Sequence, residues 1–282
     1  MSWDLGSRHL DFSRTRVMGV LNVTPDSFYD GGRYLDPGAA AEHAARLVEE
    51  GADIVDVGGE SSRPPLYGGG DGVETQEESR RVVPVVEAIR RQCDVPLSVD
   101  TVKAEVARGA LDAGADIIND ISALGDPGMA RLAAERGAPV VLMHMRGTPA
   151  TMQRDTRYRD VVAEVLSFLR QRLRAAVDAG IDGGRVALDP GLGFGKSVEG
   201  NFALLGAVDA LAETGCPVLV GASRKSFVWK PLGLSPAEGL EGSLAAAVLA
   251  VERGARILRV HDVKETVRAV RLTERVLAVG RR

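Results

Sequence analysis

Short apolar runs recur along the chain, and each breaks abruptly into polar and turn residues before a longer amphipathic stretch begins. The first is Val17-Met18-Gly19-Val20-Leu21, which passes into Asn22, Thr24, Pro25, Asp26 and Ser27 and ends at Gly31-Gly32. An uninterrupted apolar run fits a strand buried on both faces, and the polar spill-over fits the loop that follows such a strand in a parallel sheet. The same layout predicts strands over residues 17–21, 53–57, 96–99, 116–118, 139–143, 185–188, 217–220 and 256–260. Helical spacing predicts helices over 37–50, 75–92, 103–113, 127–135, 158–179, 198–214, 236–253 and 263–279, the fifth of them the longest.

Local signals support these boundaries. Asp36 stands as N-cap before Pro37 in the first helical turn, and Ser235-Pro236 repeats that arrangement at the seventh helix. Gly-Ala-Asp or Gly-Ala-Arg recurs at Gly51, Gly114 and Gly254, each time where a helix turns back into a strand, as C-cap chemistry repeated by the topology would require. Eight alternating strand–helix pairs demand a parallel sheet and favour closure into a (β/α)8 TIM barrel, an α/β fold in which residues 1–282 make a single domain. Residues 1–15 read as a short lead-in over the barrel floor. The competing doubly wound sheet carries a glycine-rich fingerprint in its first βα turn, which Asn22-Val23-Thr24-Pro25-Asp26 is not.

Composition narrows the class of function. The chain has 282 residues, 45% hydrophobic, with a net charge of −4, enough for one large core. It has no basic block with interleaved aromatics of the kind that tracks nucleic acid. Cys93 and Cys216 share no metal-ligand spacing and read as reduced thiols of a cytoplasmic protein. The first residues lack the apolar core of a signal peptide, and no apolar run is long enough to span a bilayer. Only five lysines (Lys103, Lys196, Lys225, Lys230, Lys264) and three asparagines (Asn22, Asn119, Asn201) occur, which makes each one worth locating.

The strand ends gather chemistry. In a parallel barrel they share one face, where the loops after the strands hold the site. They supply Asn22, then Glu60 with Ser62 and Arg63, then Asp100, Asn119, Met143 before His144, Asp189, Lys225, and Arg259 with His261. Asp100, Asn119 and Asp189 offer paired donors and acceptors that suit a flat heterocycle carrying amino and ring N–H groups beside a carbonyl. Met143 and Phe194 add apolar contact to such a ring. Arg63, Lys225, Arg259 and His261, with the neutral oxygen of Asn22, suit a phosphate or pyrophosphate with Mg²⁺. A heterocycle on one side and an anion on the other imply displacement of a phosphorylated leaving group.

At this point the chain resembles a known family. Met18-Gly19-Val20-Leu21-Asn22-Val23-Thr24-Pro25-Asp26-Ser27-Phe28, Gly58-Gly59-Glu60-Ser61-Ser62-Arg63-Pro64 and Asp189-Pro190-Gly191-Leu192-Gly193-Phe194-Gly195-Lys196 are similar to the ordered motifs of the dihydropteroate synthases. Ser98-Val99-Asp100-Thr101, Ile117-Ile118-Asn119-Asp120, Ser223-Arg224-Lys225-Ser226 and Arg259-Val260-His261-Asp262 follow in the same order. The resemblance implies an enzyme of folate biosynthesis that joins p-aminobenzoate to dihydropterin-hydroxymethyl pyrophosphate. It implies pterin binding by Asp100, Asn119, Met143, Asp189, Phe194, Gly221 and Lys225, and pyrophosphate binding by Asn22, Arg63, Arg259 and His261. Phe28, Ser62, Pro64, Phe194, Ser223 and Lys225 would frame the p-aminobenzoate pocket, and Asn22 would meet Mg²⁺. Asp100, Asp189, Lys225 and Arg63 would carry catalysis, by a dissociative displacement.

Three features depart from the family pattern. Position 62 is Ser where Thr is usual, the loop from Pro65 to Gly72 is longer and richer in glycine, and Trp229 stands where Gly is expected. The rival enzymes are a Schiff-base aldolase using Lys225, a glycosidase using Glu60 and Asp189, and a pterin-dependent methyltransferase. A pterin-binding paralogue without turnover is the rival outside enzymes. The helix over 236–253 carries more apolar residues than one buried face needs, which together with the resemblance points to a homodimer.

Overall fold

The structure, a computed structural model, describes residues 1–24, 36–62 and 72–280. After a hairpin of β1 (Ser2–Leu5) and β2 (Arg8–Asp11), strands and helices alternate. The first half runs β3 (Arg16–Asn22), α1 (Pro37–Glu49), β4 (Ile54–Gly58), α2 (Thr75–Gln92), β5 (Leu97–Asp100), α3 (Ala104–Asp112), β6 (Ile117–Asp120) and α4 (Pro127–Arg136). The second half runs β7 (Val140–Met143), α5 (Val161–Asp178), β8 (Val186–Asp189), α6 (Val198–Gly206), α7 (Val208–Ala212), β9 (Leu219–Val220), α8 (Ser226–Trp229), α9 (Leu240–Glu252), β10 (Ile257–Val260) and α10 (Val263–Gly280). Strands β3 to β10 pair in parallel in the order β8-β7-β6-β5-β4-β3-β10-β9, and a bridge between Leu188 and Val218 brings the two ends together. The predicted (β/α)8 barrel is the observed fold.

Alternation along the strands separates two cores. Outward side chains such as Val17, Leu21, Val55, Val57, Leu97, Val99, Val140, Leu142, Val186 and Leu258 pack against the helices in one continuous cluster. The inward residues Met18, Ile54, Ile117, Val141, Ala187, Leu219 and Ile257 form a second cluster inside the barrel, closed from below by Trp3, Leu5, Leu10 and Phe12 of the hairpin. One residue further along the inward face, five strands change character to Asp56, Ser98, Asn119, Asp189 and Arg259, while β3 and β7 carry Val20 and Met143 and Gly221 follows β9. The barrel is thus apolar at its floor and polar toward its mouth.

The recurrent tripeptides have a double function. Gly51, Gly114 and Gly254 take positive φ (+104°, +111° and +97°), a turn that favours glycine, and end the helices. The aspartate that follows in two of them receives an N–H from the neighbouring strand: Asp53 from Val17 at 3.0 Å and Asp116 from Leu97 at 2.9 Å. Both carboxylates are also paired with arginines, Asp53 with Arg14 and Arg16, and Asp116 with Arg8 and Arg90. The segment thus stops a helix and pins the floor of the adjacent strand.

Several predicted elements change in detail. The helix expected over 198–214 is two, α6 and α7, broken where Ala207 leaves helical geometry (φ −117°, ψ 24°). Helix α5 begins at Val161 behind the N-cap Asp160, because its hydroxyl-free carboxylate accepts from Ala163 N at 3.0 Å, and at 18 residues it equals α2 and α10 rather than exceeding them. Ser235 caps a short 3-10 turn, Pro236–Glu238, through a capping box with Glu238, and α9 starts behind Gly239. The lead-in is a full hairpin. Helix α8 falls inside a stretch read as loop.

Trp3 is the keystone of the floor. It is 1% exposed, donates its indole N–H to Gly184 O at 2.9 Å, and meets Phe12 edge-on with ring centroids 4.9 Å apart. Trp3→Ala is expected to cost ~3–5 kcal/mol of unfolding free energy, measured by urea denaturation. A loss below about 1 kcal/mol would show that the hairpin is a cover and not part of the core.

Candidate active site

The predicted strand-end residues that the structure describes converge on the barrel mouth. Asn22, Asp100, Met143 and Asp189 are the last residues of β3, β5, β7 and β8, while Asn119 and Arg259 point inward from β6 and β10. Gly221, Ser223 and Lys225 lie in the turn after β9, Phe194 in the turn after β8, His261 directly after β10, and Ser62 beyond β4. Phe28, Arg63 and Pro64 lie outside the described residues, as does the long second loop up to residue 71.

A guanidinium organises the floor of this site. Arg259 donates from Nε to Asp56 Oδ2 at 2.6 Å and from Nη2 to Asp100 Oδ2 at 2.8 Å. Asn119 Nδ2 donates to the same Asp56 oxygen at 3.1 Å. Burial works against the Arg259 charge, but Asp56 and Asp100 outweigh it and hold its pKa above the ordinary range. Asp56 itself is fully buried and was not singled out from the sequence. Its signal is one acidic residue inside the apolar run 54–57, two positions before Gly58 on the inward face. Arg259 therefore reaches into the heterocycle half of the site and joins the two halves.

Burial raises two acids of this site. Burial, reinforced by Asp56 and opposed by Arg259, pushes Asp100 up to about 7. Burial also raises Asp189, against the charges of Lys225, Lys196 and Arg259 and an N–H from Gly191 at 2.6 Å. Desolvation lowers Lys225 to about 8, with Arg259 adding repulsion while Asp189 and Asp100 oppose the fall. The Lys225 ammonium donates to Leu192 O and stands 4.5 Å above the centre of the Phe194 ring. Lysine, aromatic ring and carboxylates thus face one space.

The Ser223–Lys225 turn is held on every side. Arg224 adopts φ +56°, and its guanidinium grips Asp262 through two bonds, Nε to Oδ2 at 2.9 Å and Nη2 to Oδ1. Its N–H donates to Ser243 Oγ at 2.9 Å, and its carbonyl accepts the Trp229 indole N–H at 3.3 Å. The unusual tryptophan is accommodated as a brace for this turn. Ser223 Oγ accepts the His261 backbone N–H at 3.2 Å and lies 3.1 Å from His261 Nδ1, tying the turn to β10.

Chemically, this mouth offers hydrogen-bond acceptors, the two amides Asn22 and Asn119, and two cations over an apolar wall, and its ionisation has a stability consequence. A carboxyl raised in the fold contributes stability that is complete below its unfolded pKa and is lost as pH rises through the folded value. For Asp100 that window runs from about 4 to about 7. Replacing Asp100 by Asn removes the penalty. The unfolding free energy of Asp100→Asn relative to the unaltered protein is expected to shift in the variant's favour by ~2–4 kcal/mol between pH 4 and pH 8. A pH-independent difference in urea denaturation would show that Asp100 ionises normally.

Comparison with known proteins agrees with this geometry. A family model described as pterin binding enzyme matches residues 18–261. The dihydropteroate synthase of Escherichia coli (strain K12) is 49% identical over 269 residues, covering 95% of this chain and 94% of the relative. The structure of the Xanthomonas albilineans dihydropteroate synthase with 4-aminobenzoic acid has a TM-score of 0.91 at 49% identity and covers 98% of both chains. A structure of the X. albilineans enzyme in complex with 7,8-dihydropteroate has a TM-score of 0.88 at 46% identity and covers 99% of both. With the barrel, the ordered motifs and near-complete coverage in agreement, the chain belongs to the dihydropteroate synthases of the pterin binding enzyme family.

Proposed function

We infer that the protein condenses 6-hydroxymethyl-7,8-dihydropterin pyrophosphate with p-aminobenzoate, giving 7,8-dihydropteroate and pyrophosphate. The observation that carries this reading is the meeting of Asp100, Asn119 and Asp189 with Lys225 and Arg259 at one barrel mouth, in a chain whose relatives bind 4-aminobenzoic acid and 7,8-dihydropteroate. A methyltransferase would use the acids and the amide without the Ser-Arg-Lys and Arg-Val-His sets.

In this reading Asp100, Asn119 and Asp189 pair with the pterin edge, while Met143, Phe194 and Gly221 border the ring. Arg63, Arg259 and His261 receive the pyrophosphate, and Phe28, Ser62, Pro64, Ser223 and Lys225 frame p-aminobenzoate. Asn22 would hold Mg²⁺ beside the pyrophosphate site. The donor chemistry fits: Asn22 offers a neutral amide oxygen at the end of β3, and position 58 beside it is glycine, where a Cβ would touch both Asn22 Oδ1 at 3.6 Å and Asp100 Oδ2 at 3.7 Å. A hard cation that keeps most of its waters needs few protein ligands. When bound, it would supply charge neutralisation for the departing anion.

The displacement is dissociative. The bond between the exocyclic carbon and the ester oxygen breaks, and the electron pair leaves with pyrophosphate. The pterin ring spreads the developing positive charge, and the Asp100 and Asp189 carboxylates stabilise it. Arg63, Arg259 and His261 hold the departing anion. The p-aminobenzoate nitrogen then forms the new C–N bond and loses one proton to pyrophosphate or solvent. Catalysis is preorganised electrostatics with no covalent enzyme intermediate.

The remaining readings concern setting. The protein works in the cytoplasm; among the described residues no helix is long and apolar enough to cross a membrane. It forms a homodimer through the neighbouring helices α6, α9 and α10, which expose Phe202, Leu249, Leu272 and Val276.

Purified protein given the pterin pyrophosphate, Mg²⁺ and p-aminobenzoate is expected to form dihydropteroate, with at least a ~100-fold loss of kcat/KM in Lys225→Ala. Pterin binding without product would move the assignment to a non-catalytic paralogue. Pyrophosphate release without p-aminobenzoate is expected of the dissociative path, and its strict absence would exclude that path.

A further inference from the structure

Lys196 is absorbed by none of the roles above, yet it is one of only five lysines and is 4% exposed. Its ammonium lies within an inner shell of backbone: Phe194 O at 2.8 Å, Gly191 O at 2.9 Å and His144 O at 3.2 Å, with His144 Nδ1 at 3.0 Å. These acceptors are carbonyls and an imidazole nitrogen, not carboxylates. Burial, with the Lys196 charge adding to it, lowers His144 to about 3, so its ring is neutral and Nδ1 accepts the ammonium proton. The turn is folded so closely that a Cβ on Gly191, at φ +66°, would lie 2.0 Å from His144 O.

The same turn carries the site. Asp189 begins it, its carboxylate takes the Gly191 N–H, and the Leu192 carbonyl accepts from Lys225. Two lysines therefore hold one turn from opposite sides, Lys225 from the cavity and Lys196 from within the protein. The charged groups acting on Asp189 are Lys225, Lys196 and Arg259. Burial, reinforced by Lys225 and Arg146 and opposed by Asp189, lowers Lys196 to about 7, so its ammonium is charged throughout the acid limb below that pH. Lys196 opposes the burial that raises the Asp189 carboxyl.

We propose that Lys196 is a positioning residue for pterin recognition: its buried ammonium folds the turn after Asp189 around itself and keeps a positive charge behind that carboxylate. The proposal rests on the pterin-binding reading of Asp189. A deleted ammonium leaves its carbonyls without their donor and lets the carboxylate take up a proton at higher pH.

The test uses the full chain and fully oxidised 6-hydroxymethylpterin, which lacks the pyrophosphate, titrated by calorimetry from pH 5 to pH 7.5. Lys196→Met is expected to weaken binding by about tenfold or more at pH 7. Its loss of binding on acidification should begin about one pH unit higher than in the unaltered protein. Lys196→Arg, which restores charge, should recover the original pH profile. Binding of inorganic pyrophosphate with Mg²⁺ should change less than about twofold in both variants. Should Lys196→Met not fold, Lys196→Gln keeps N–H donors without the charge and should show the same displaced acid limb. Pterin affinity and pH profile unchanged in a folded, uncharged variant would overturn the proposal, as would parallel losses of pterin and pyrophosphate binding. No pterin binding by the unaltered protein would overturn the function assigned to Asp189 itself.

Discussion

Charge inside a barrel must be paired or it will not stay charged, and this constraint shapes the upper half of the molecule. Isolated, an ion at that depth would cost far more than the few kcal/mol that separate folded from unfolded chains. The Arg259 guanidinium answers the problem by spanning strands: β10 supplies it, β4 and β5 supply its carboxylates, and β6 adds an amide to the same Asp56 oxygen. Register decides whether this is possible. Asp100 pairs with Asn119 across β5 and β6, and Gly58 with Asp100 across β4 and β5, so the groups arrive at adjacent heights. A shift of one residue would turn each of them into the helical layer. The site is continuous with the barrel core.

The turns at the mouth are governed by the same need to satisfy buried polar groups. After β8, successive backbone groups are claimed by side chains: Gly191 and Phe194 by Lys196, Leu192 by Lys225, Gly193 N–H by Asn201 and Gly195 O by Tyr158. After β9, left-handed Arg224 is held by Asp262, Ser243 and Trp229. Trp229 replaces the expected glycine without disturbing that turn because its indole N–H finds the Arg224 carbonyl. Preorganisation here is therefore a backbone property, imposed by residues that mostly do not face the cavity.

How much of this could be read from the sequence follows from the period of each signal. Strands buried on both faces are unbroken apolar runs, and the glycine stops repeat, so the eight units and nearly all their boundaries were legible. Asn22, Asp100, Asn119, Asp189 and Lys225 were legible because rare or charged residues stood where those runs ended. Asp56 was not, since it interrupts a run from inside and only its inward partners on other strands, Arg259 and Asn119, give it meaning. Lys196 was visible as a motif letter and a scarce lysine, but its acceptors are carbonyls, which sequence does not display. The break at Ala207 is marked by Gly206 but hidden by the apolar residues that continue through Val208 and Leu211, and the hairpin was underread because its alternation spans only four residues per strand.

The two storeys of the interior also divide the work of stability and function. At the floor, Asp53 and Asp116 are paired with arginines and with strand N–H groups, beside the packed Trp3 and Phe12. At the mouth, Asp100 and Asp189 are raised by burial and Lys225 is lowered, which is unfavourable to the empty fold and useful for receiving a polar ring. A substrate that supplies hydrogen bonds to those groups recovers what the fold gives up by burying them. It follows that control over the site comes from behind its lining, because Asp56 inside the barrel and Lys196 behind the turn after β8 set the position and charge of Arg259 and Asp189 before any substrate arrives.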